Sequence, residues 1–315
     1  MNKTTQQKAE LSLVFPIFNE EKIIPLLNKE INKFVKKLPS KTELIFVNDG
    51  STDKTHDQLK KIKTKYPFKI INFSRNFGHQ AALLAGLQES SGEYVVTLDA
   101  DLQHPLNIIP EMLKLHKQGY DVVLTQRIDE KTINKSKQFF TKLFYKFINI
   151  LSDTKVLENG SDFRSLNRKA LTALLSLPEQ RKFLRGMIQW IGYKTIIIPF
   201  QAKKRVEGVS KYSLSKMTNL ALHGLTSSST KPLYLSGIFS IILFILALIY
   251  AIYVLYVRFW GTGIVDGWAS VLFVVLIIGG FLSLFLGLIG AYIAAIYDET
   301  KNRPGFFVSS TWNSK

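Results

Sequence analysis

Short apolar runs punctuate the first half of the chain. Leu11–Phe15, Glu43–Asn48, Lys69–Phe73, Tyr94–Asp99 and Asp121–Thr125 read as short strands. Helical stretches lie between them, Glu20–Leu38 and Asp53–Tyr66 among them. This alternation predicts an α/β fold with a mostly parallel sheet. Past residue 230 the pattern changes. Leu233–Val257 and Trp268–Tyr297 are nearly unbroken apolar runs, each longer than the roughly 20 residues a helix needs to cross a bilayer. Soluble core helices are rarely so long and apolar on every side, so two transmembrane helices are predicted. Tyr250, Tyr253, Tyr256, Trp260 and Trp268 cluster near the intervening loop, as an aromatic belt would. Two further stretches, about 135–151 and 213–225, break the strand–helix rhythm. In the first, Phe139, Phe140, Leu143, Phe144, Phe147 and Ile148 fall at helical spacing beside Lys135, Lys137, Lys142 and Lys146. Such a helix either lies in the lipid interface or packs on the sheet with a solvated basic face.

Composition sharpens this picture. Hydrophobic residues at 46% and aromatics at 12% exclude a disordered chain. Cysteine is absent, which removes disulfides, zinc–thiolate sites, iron–sulfur clusters and cysteine nucleophiles together. Lys and Arg total 41 against 24 Asp and Glu, a net charge of +17, so an anionic partner is expected: nucleic acid, a phosphorylated substrate or an acidic lipid surface. The loop between the apolar runs carries one basic residue, Arg258, whereas the N-terminal part is densely basic and Lys301 and Arg303 follow the second run. The positive-inside rule places both termini in the cytoplasm. Met1–Glu10 is polar and does not read as a signal peptide. Residues 1–230 are therefore expected as a cytosolic domain, 231–297 as a two-helix anchor and 298–315 as a cytosolic tail.

Ligands of open α/β sheets bind beyond the carboxyl ends of the strands, and three polar clusters stand there. Pro16–Glu21 follows the first strand, Asn48–Asp53 the second and Asp99–Pro105 the fourth. Asp99, Asp101 and Gln103 alternate at the end of their strand. They either converge on one hard cation, Mg²⁺ or Mn²⁺, or form a turn that caps the next helix. His104 reads as structural or solvated. Asp49 either accepts hydrogen bonds from a nucleobase or ribose or belongs to a plain Asp-Gly-Ser turn. Glu20 is either a ligand contact or a first-turn carboxylate favouring the helix dipole.

The clusters in this order resemble the family 2 inverting glycosyltransferases with the GT-A fold, and more narrowly the polyprenyl-phosphate glycosyltransferases. FPIFNEE (15–21), ELIFVNDGSTDKT (43–55) and VVTLDADLQHP (95–105) carry the broad resemblance. FSRNFGHQAALLAG (73–86), RKFLRGMIQWIGY (181–193) and KRVEGVSKYSLSKM (204–217), with the two apolar runs, narrow it. GSDFRSLNR (160–168) and YDETKNRP (297–304) extend it over nearly the whole chain. The Q-x-x-R-W motif of processive synthases is missing, and Ser161 replaces the glycine that usually precedes the acidic residue here.

The resemblance implies roles. Pro16, Asn19, Glu20 and Asp49 would line the nucleotide pocket, with Arg75 a further phosphate or base contact. Asp99 would lie near the donor sugar and diphosphate, and Asp99, Asp101 and Gln103 would hold Mg²⁺ or Mn²⁺. Asp162 matches the acidic position near the reacting centre. Arg205, Ser210 and Lys211 match a mobile basic loop closing over phosphates, with Arg205 counted among the catalytic groups. The implied reaction is transfer of a sugar from a nucleotide sugar, UDP-glucose or a UDP-N-acetylhexosamine, to undecaprenyl phosphate with inversion. Membrane lipids, a homo-oligomeric partner copy, a flippase and an outer-face glycosyltransferase are the expected partners, and nucleic acid is not. Rival readings are a family 2 transferase with a glycan acceptor and a membrane-tethered anion-binding module.

Overall fold

The computed structural model describes residues 9–35, 38–39, 41–128, 157, 160–179, 183–202, 229–260 and 267–314. They fall into two compact units: residues 229–260 and 267–301 form one, and all the others, including those from Asn302 onward, form the other. The predicted amphipathic stretches at 135–151 and 213–225 lie outside the described residues.

The first unit is built on one eight-stranded sheet. Its strands are β1 Leu11–Ile17, β2 Thr42–Asn48, β3 Phe68–Phe73, β4 Tyr94–Thr97, β5 Val122–Ile128, β6 Gly160–Asn167, β7 Thr195–Gln201 and β8 Val308–Asn313. Their spatial order is β7-β5-β6-β4-β1-β2-β3-β8. β1 pairs in parallel with β2 and β4, as do β2 with β3 and β5 with β7. Two interruptions make the sheet mixed. β6 runs antiparallel between β4 and β5, and β8 runs antiparallel along β3.

The apolar alternation of β1 explains the layering. Leu11, Leu13, Phe15 and Ile17 enter one buried cluster with residues of α1 (Ile24–Val35), α2 (Thr55–Lys60) and α4 (Ile109–Lys117), while Val14 enters another with α3 (His79–Glu89), α5 (Arg168–Leu175) and α6 (Leu184–Trp190). Helices therefore cover both faces, as an apolar sheet requires. α3 packs closely: a Cβ on Gly86 would lie 2.2 Å from Val14 Cγ1. Pro16 is tolerated in this central strand for a register reason. Val14 directs its carbonyl to Leu98 N on the β4 side, and Ile17 directs its carbonyl to Asp49 N on the β2 side. Pro16 shares Val14's side, but the β1–β4 ladder ends at Val14 and Thr97, so its missing N–H breaks no ladder bond.

Helices begin and end tighter than the sequence pattern predicts. α1 starts at Ile24, not Glu20, because residues 20–21 are tied to the loop after β2; Pro25 then occupies its first turn, where no donor is needed. α2 ends at Lys60, well short of Tyr66, a residue whose helical conformation Pro67 disfavours.

In the second unit, α7 (Lys231–Trp260) and α8 (Trp268–Thr300) contain the two predicted apolar runs. Both are candidate membrane spans by length and composition. Buried soluble-core helices would hide these side chains, yet Phe244 is 70% and Leu276 65% exposed. Tyr292 Oη, on α8, donates to the Ser229 carbonyl at 2.8 Å, a bond within this unit. The segment after α8, expected as a tail, supplies β8, whose Trp312 ring lies 5.2 Å from that of Phe68.

Candidate functional site

Two loops at the carboxyl ends of β1 and β2 are stapled together. Asn19 adopts φ +54°, a left-handed conformation that asparagine tolerates better than most residues. Its N–H donates to Ser51 Oγ at 2.9 Å, and its Oδ1 accepts from Thr52 N at 2.8 Å. Glu20 N donates to Thr55 Oγ1, and Glu21 N donates to Asp53 Oδ2. Glu20 is thereby fixed at the loop through its backbone. Asn48 Oδ1 accepts from Ser51 N at 3.2 Å, and Asn48 Nδ2 donates to Asn72 Oδ1 at 3.0 Å. Asn72 Nδ2 donates in turn to Ser310 Oγ at 3.1 Å. A continuous relay therefore joins β8, which follows α8 in the chain, to the Asn19 loop.

Asp49 faces a third loop. It is 2% exposed, and its two oxygens accept from Phe77 N at 2.7 Å and Gly78 N at 3.0 Å. Burial raises its pKa, and these two donors only partly offset that. A direct contact with nucleobase or ribose would require Asp49 to share oxygens that already hold the 75–78 loop. Arg75, in that loop, lies 4.1 Å over the Phe77 ring and donates to Asn76 O. Gly50 makes the close approach feasible. At φ +64°, its Cβ would fall 2.2 Å from Arg75 C and 2.6 Å from Asn76 N. Gly50→Ala is expected to cost about 1–2 kcal/mol for the backbone conformation alone and to push the two loops apart. Thermal unfolding of the two proteins checks this; an unchanged melting temperature would contradict it.

The acidic centre forms where β4 meets β6. Their antiparallel register pairs Thr97 with Arg164, where the ladder ends; just beyond it Asp99 and Asp162 flank His79. Thr97 Oγ1 donates to the Asp162 carbonyl. Thus the amino end of β6 is brought to the carboxyl end of β4. His79, the first residue of α3, lies between the two acids, with Nε2 3.5 Å from Asp99 and 3.4 Å from Asp162. Burial alone would lower the His79 pKa, but the bond to Asp162 and the charge of Asp99 leave it raised.

Asp162 is the most heavily partnered carboxylate of the centre. It is only 6% exposed. The fully buried Arg164 donates to its Oδ1. Arg185 grips it with two bonds, Nε to Oδ1 at 3.1 Å and Nη2 to Oδ2 at 2.8 Å. Burial would push its pKa up, but Arg164, His79 and Arg185 together hold it well below the usual carboxylate range. A carboxylate so stabilised is a poor proton acceptor.

His104 proves structural. Its Nδ1 accepts from Asp99 N at 2.9 Å, so Nε2 carries the proton and donates to Ser161 Oγ at 3.0 Å. The ring stacks on Phe163, and burial lowers its pKa. Ser161 therefore has its own use: the hydroxyl also accepts from Phe163 N.

A divalent cation fits this donor set. Asp99 and Asp101 offer hard oxygen ligands just past the end of β4. Asp101 Oδ1 already accepts from Gln103 N at 3.0 Å, an Asx turn that fixes the loop. Among the described residues no three acidic or histidine side chains form a complete cage. Mg²⁺ usually needs none, taking one or two carboxylates with water and substrate phosphates.

The sequence reading assigned no role to His79, Arg164 or Arg185, nor to Asn72 and Ser310. His79 and Arg185 lie within FSRNFGHQAALLAG and RKFLRGMIQWIGY, segments that already stood out. Their convergence on Asp162 depends on pairings far apart in sequence. Arg205, Ser210 and Lys211 lie outside the described residues.

A mixed α/β sheet with carboxylates at the ends of β4 and β6 is the GT-A arrangement of nucleotide-sugar transferases. The glycosyl transferase family 2 model matches residues 12–175, and the chain belongs to that family. It is 35% identical over 302 residues to a bactoprenol glucosyl transferase of Shigella phage SfX, covering 96% of this chain and 99% of that one. A prophage bactoprenol glucosyl transferase homolog of Escherichia coli K12 is 34% identical over 300 residues, with 95% and 98% covered. The fold is similar to glucosyl-3-phosphoglycerate synthase from Mycobacterium tuberculosis, crystallised with Mn²⁺, uridine diphosphate and phosphoglyceric acid. That likeness has a TM-score of 0.50 and 19% identity, over 69% of this chain and 76% of the other.

Proposed function

We propose that this transferase moves a sugar from UDP-glucose, or from a UDP-N-acetylhexosamine, to undecaprenyl phosphate at the cytoplasmic membrane face, with inversion at the anomeric carbon. The observation that carries the reading is Asp162 held ionised by Arg164 and Arg185, across His79 from Asp99. Asp162 so held is a weak base, which suits a nucleophile that arrives already ionised. A phosphate monoester is one, since its second pKa is about 6. Relatives named bactoprenol glucosyl transferases, similar over nearly full length, and two candidate spans support a lipid-borne acceptor.

Asp99 and Asp101, with Gln103, would hold Mg²⁺ or Mn²⁺, which when bound supplies positive charge to the leaving diphosphate. The Asn19, Glu20 and Asp49 loops, with Pro16 and Arg75 beside them, would form the nucleotide side. Arg205, Ser210 and Lys211 would close over phosphates. Asp162 orients its cationic neighbours and takes no proton. The acceptor's lipid cannot leave the bilayer cheaply, at about 0.8 kcal/mol per exposed CH₂, so the anchor brings the site to it. On this reading the chain works as a homo-oligomer at the inner membrane, and a flippase and an outer-face glycosyltransferase use its product.

Purified protein with undecaprenyl phosphate and each labelled UDP-sugar, with Mg²⁺, with Mn²⁺ and with EDTA, tests the donor and the metal. Organic-extractable label from one donor, abolished by EDTA, is expected. Equal label in EDTA would overturn the metal assignment, and label from no UDP-sugar would overturn the donor class.

A further inference from the structure

β8 and the residues just ahead of it have little core to fill, yet they hold the loops of the nucleotide side at two points. Every side chain of β8 but Trp312 is exposed. Core burial accounts for Trp312, packed on Phe68, and leaves the rest of the strand unexplained. The first hold is aromatic. Ser74 N donates to the Phe307 carbonyl at 3.0 Å. The Phe306 ring stacks on Phe73 at 4.8 Å, and the Phe307 ring lies 6.1 Å from that of Phe77. Phe77 is the ring under the Arg75 guanidinium, and its N–H is one of the two that Asp49 holds. The loop carrying Arg75 is thus held by Asp49 after β2 and by Phe306 and Phe307 ahead of β8. Phe307 is 55% exposed, so it gains little from burial; what it supplies is a contact for Phe77.

The second hold is polar and centres on Asn72, a buried residue of β3. Its Oδ1 accepts from Asn48 Nδ2 at 3.0 Å and lies 2.8 Å from His56 Nδ1, which therefore carries the proton. Its Nδ2 donates to Ser310 Oγ at 3.1 Å, and Ser309 Oγ donates to its carbonyl at 3.0 Å. The β3–β8 register shifts at this point. Asn72 pairs with Ser310 and Phe73 with Val308, which leaves Ser309 as the extra residue of a bulge. Bulges bend a strand and re-aim its side chains. This one sits where Asn72 passes its bonds to Asn48 and, through Ser51, to the left-handed Asn19.

We infer that residues 306–310 are a positioning element of the donor-nucleotide site, with Phe307 and Asn72 as the positioning residues. Phe307 steadies the loop of Arg75, and Asn72 steadies the loop after β2; both act through those loops. This rests on the nucleotide side of the function proposed above. Loops held in their binding conformation lose less freedom when the ligand arrives. Loss of either residue therefore weakens donor binding and leaves the acceptor KM alone.

The test is UDP affinity by calorimetry with Mg²⁺ or Mn²⁺ present, with acceptor KM in detergent micelles and melting temperature alongside, for wild type, Phe307→Ala, Phe307→Tyr and Asn72→Ala. Phe307→Ala is expected to weaken UDP about 3- to 10-fold, the worth of one aromatic pair, and Phe307→Tyr to restore it within about twofold. Asn72→Ala leaves the Asn48 amide and His56 without their acceptor and should weaken UDP about 10- to 100-fold. The acceptor KM should stay within about twofold in each. Should Asn72→Ala not fold, the two variants of the exposed Phe307 decide alone. Unchanged UDP affinity in folded Phe307→Ala overturns the inference whatever the melting temperature does, because the segment then serves the fold alone. An acceptor KM that rises as far as UDP weakens overturns it too, as a general loosening. Failure of the underlying function is seen separately. A wild type that binds no UDP removes the donor reading and this inference together; one that binds UDP but labels no undecaprenyl phosphate removes the acceptor alone and leaves the UDP affinities to decide.

Discussion

Replacing Asp101 with alanine is expected to lower sugar transfer about 100- to 1,000-fold, equivalent to about 3–4 kcal/mol of transition-state stabilisation. Asp101 is one of the two carboxylates proposed to hold a divalent cation, and its Oδ1 accepts from Gln103 N in a local turn. On the proposed role, activity should fall far more steeply than the melting temperature. The check is transfer rate against metal concentration for wild type and variant. A variant with more than about a tenth of wild-type activity at saturating metal would contradict the assignment.

The second large effect falls on stability. Asp162→Asn leaves Arg164, 2% exposed, without its carboxylate. Breaking a buried pair by removing one partner costs about 3–5 kcal/mol, here roughly 10 °C in melting temperature. The pH dependence follows from the depressed Asp162 pKa. A carboxyl group whose folded pKa lies below its unfolded value of 3.8 binds fewer protons folded than unfolded. Its stabilisation is therefore complete above that unfolded value and disappears as pH falls through the folded pKa. Wild type should lose this contribution only in strong acid, and the asparagine variant should lack that acid-sensitive component. Melting curves from pH 7 down to the most acidic pH at which the fold survives measure it. Equal melting temperatures for both proteins at pH 7 would contradict the proposed clamp.

Much of the architecture was legible in the sequence because it rests on local signals. β1 to β5 follow from short apolar runs, and α7 and α8 from length and hydropathy. Pro16–Glu21, Asn48–Asp53 and Asp99–Pro105 could be placed at strand ends by the general rule for open sheets. β7 (Thr195–Gln201) carries an apolar run that was not singled out, but β6 and β8 escaped for a physical reason. Gly160–Asn167 is buried through its partners, yet it contains Ser161, Asp162, Arg164 and Ser165 and shows no apolar run. β8 is a mostly exposed edge strand of polar residues held by pairing with β3.

The site divides the same way. Asp99 and Asp162 were singled out as members of motifs, but their meeting around His79 is a consequence of the β4–β6 pairing. Asp49 was singled out for the nucleotide from its motif, but its buried bonds to Phe77 N and Gly78 N, which also hold the 75–78 loop, were not legible in the sequence. His79 and Arg185 lie 106 positions apart in sequence (185 − 79). No spacing rule connects them, and only the folded sheet brings both to Asp162.

The most direct measurement compares acceptors for purified protein given one labelled nucleotide sugar. Undecaprenyl phosphate, undecaprenol and a soluble glycan are offered separately under the same conditions. A nucleophile that arrives ionised predicts label in undecaprenyl phosphate alone, released by mild acid as the sugar. Label in undecaprenol or in the glycan, with none in the phosphate, would contradict the account.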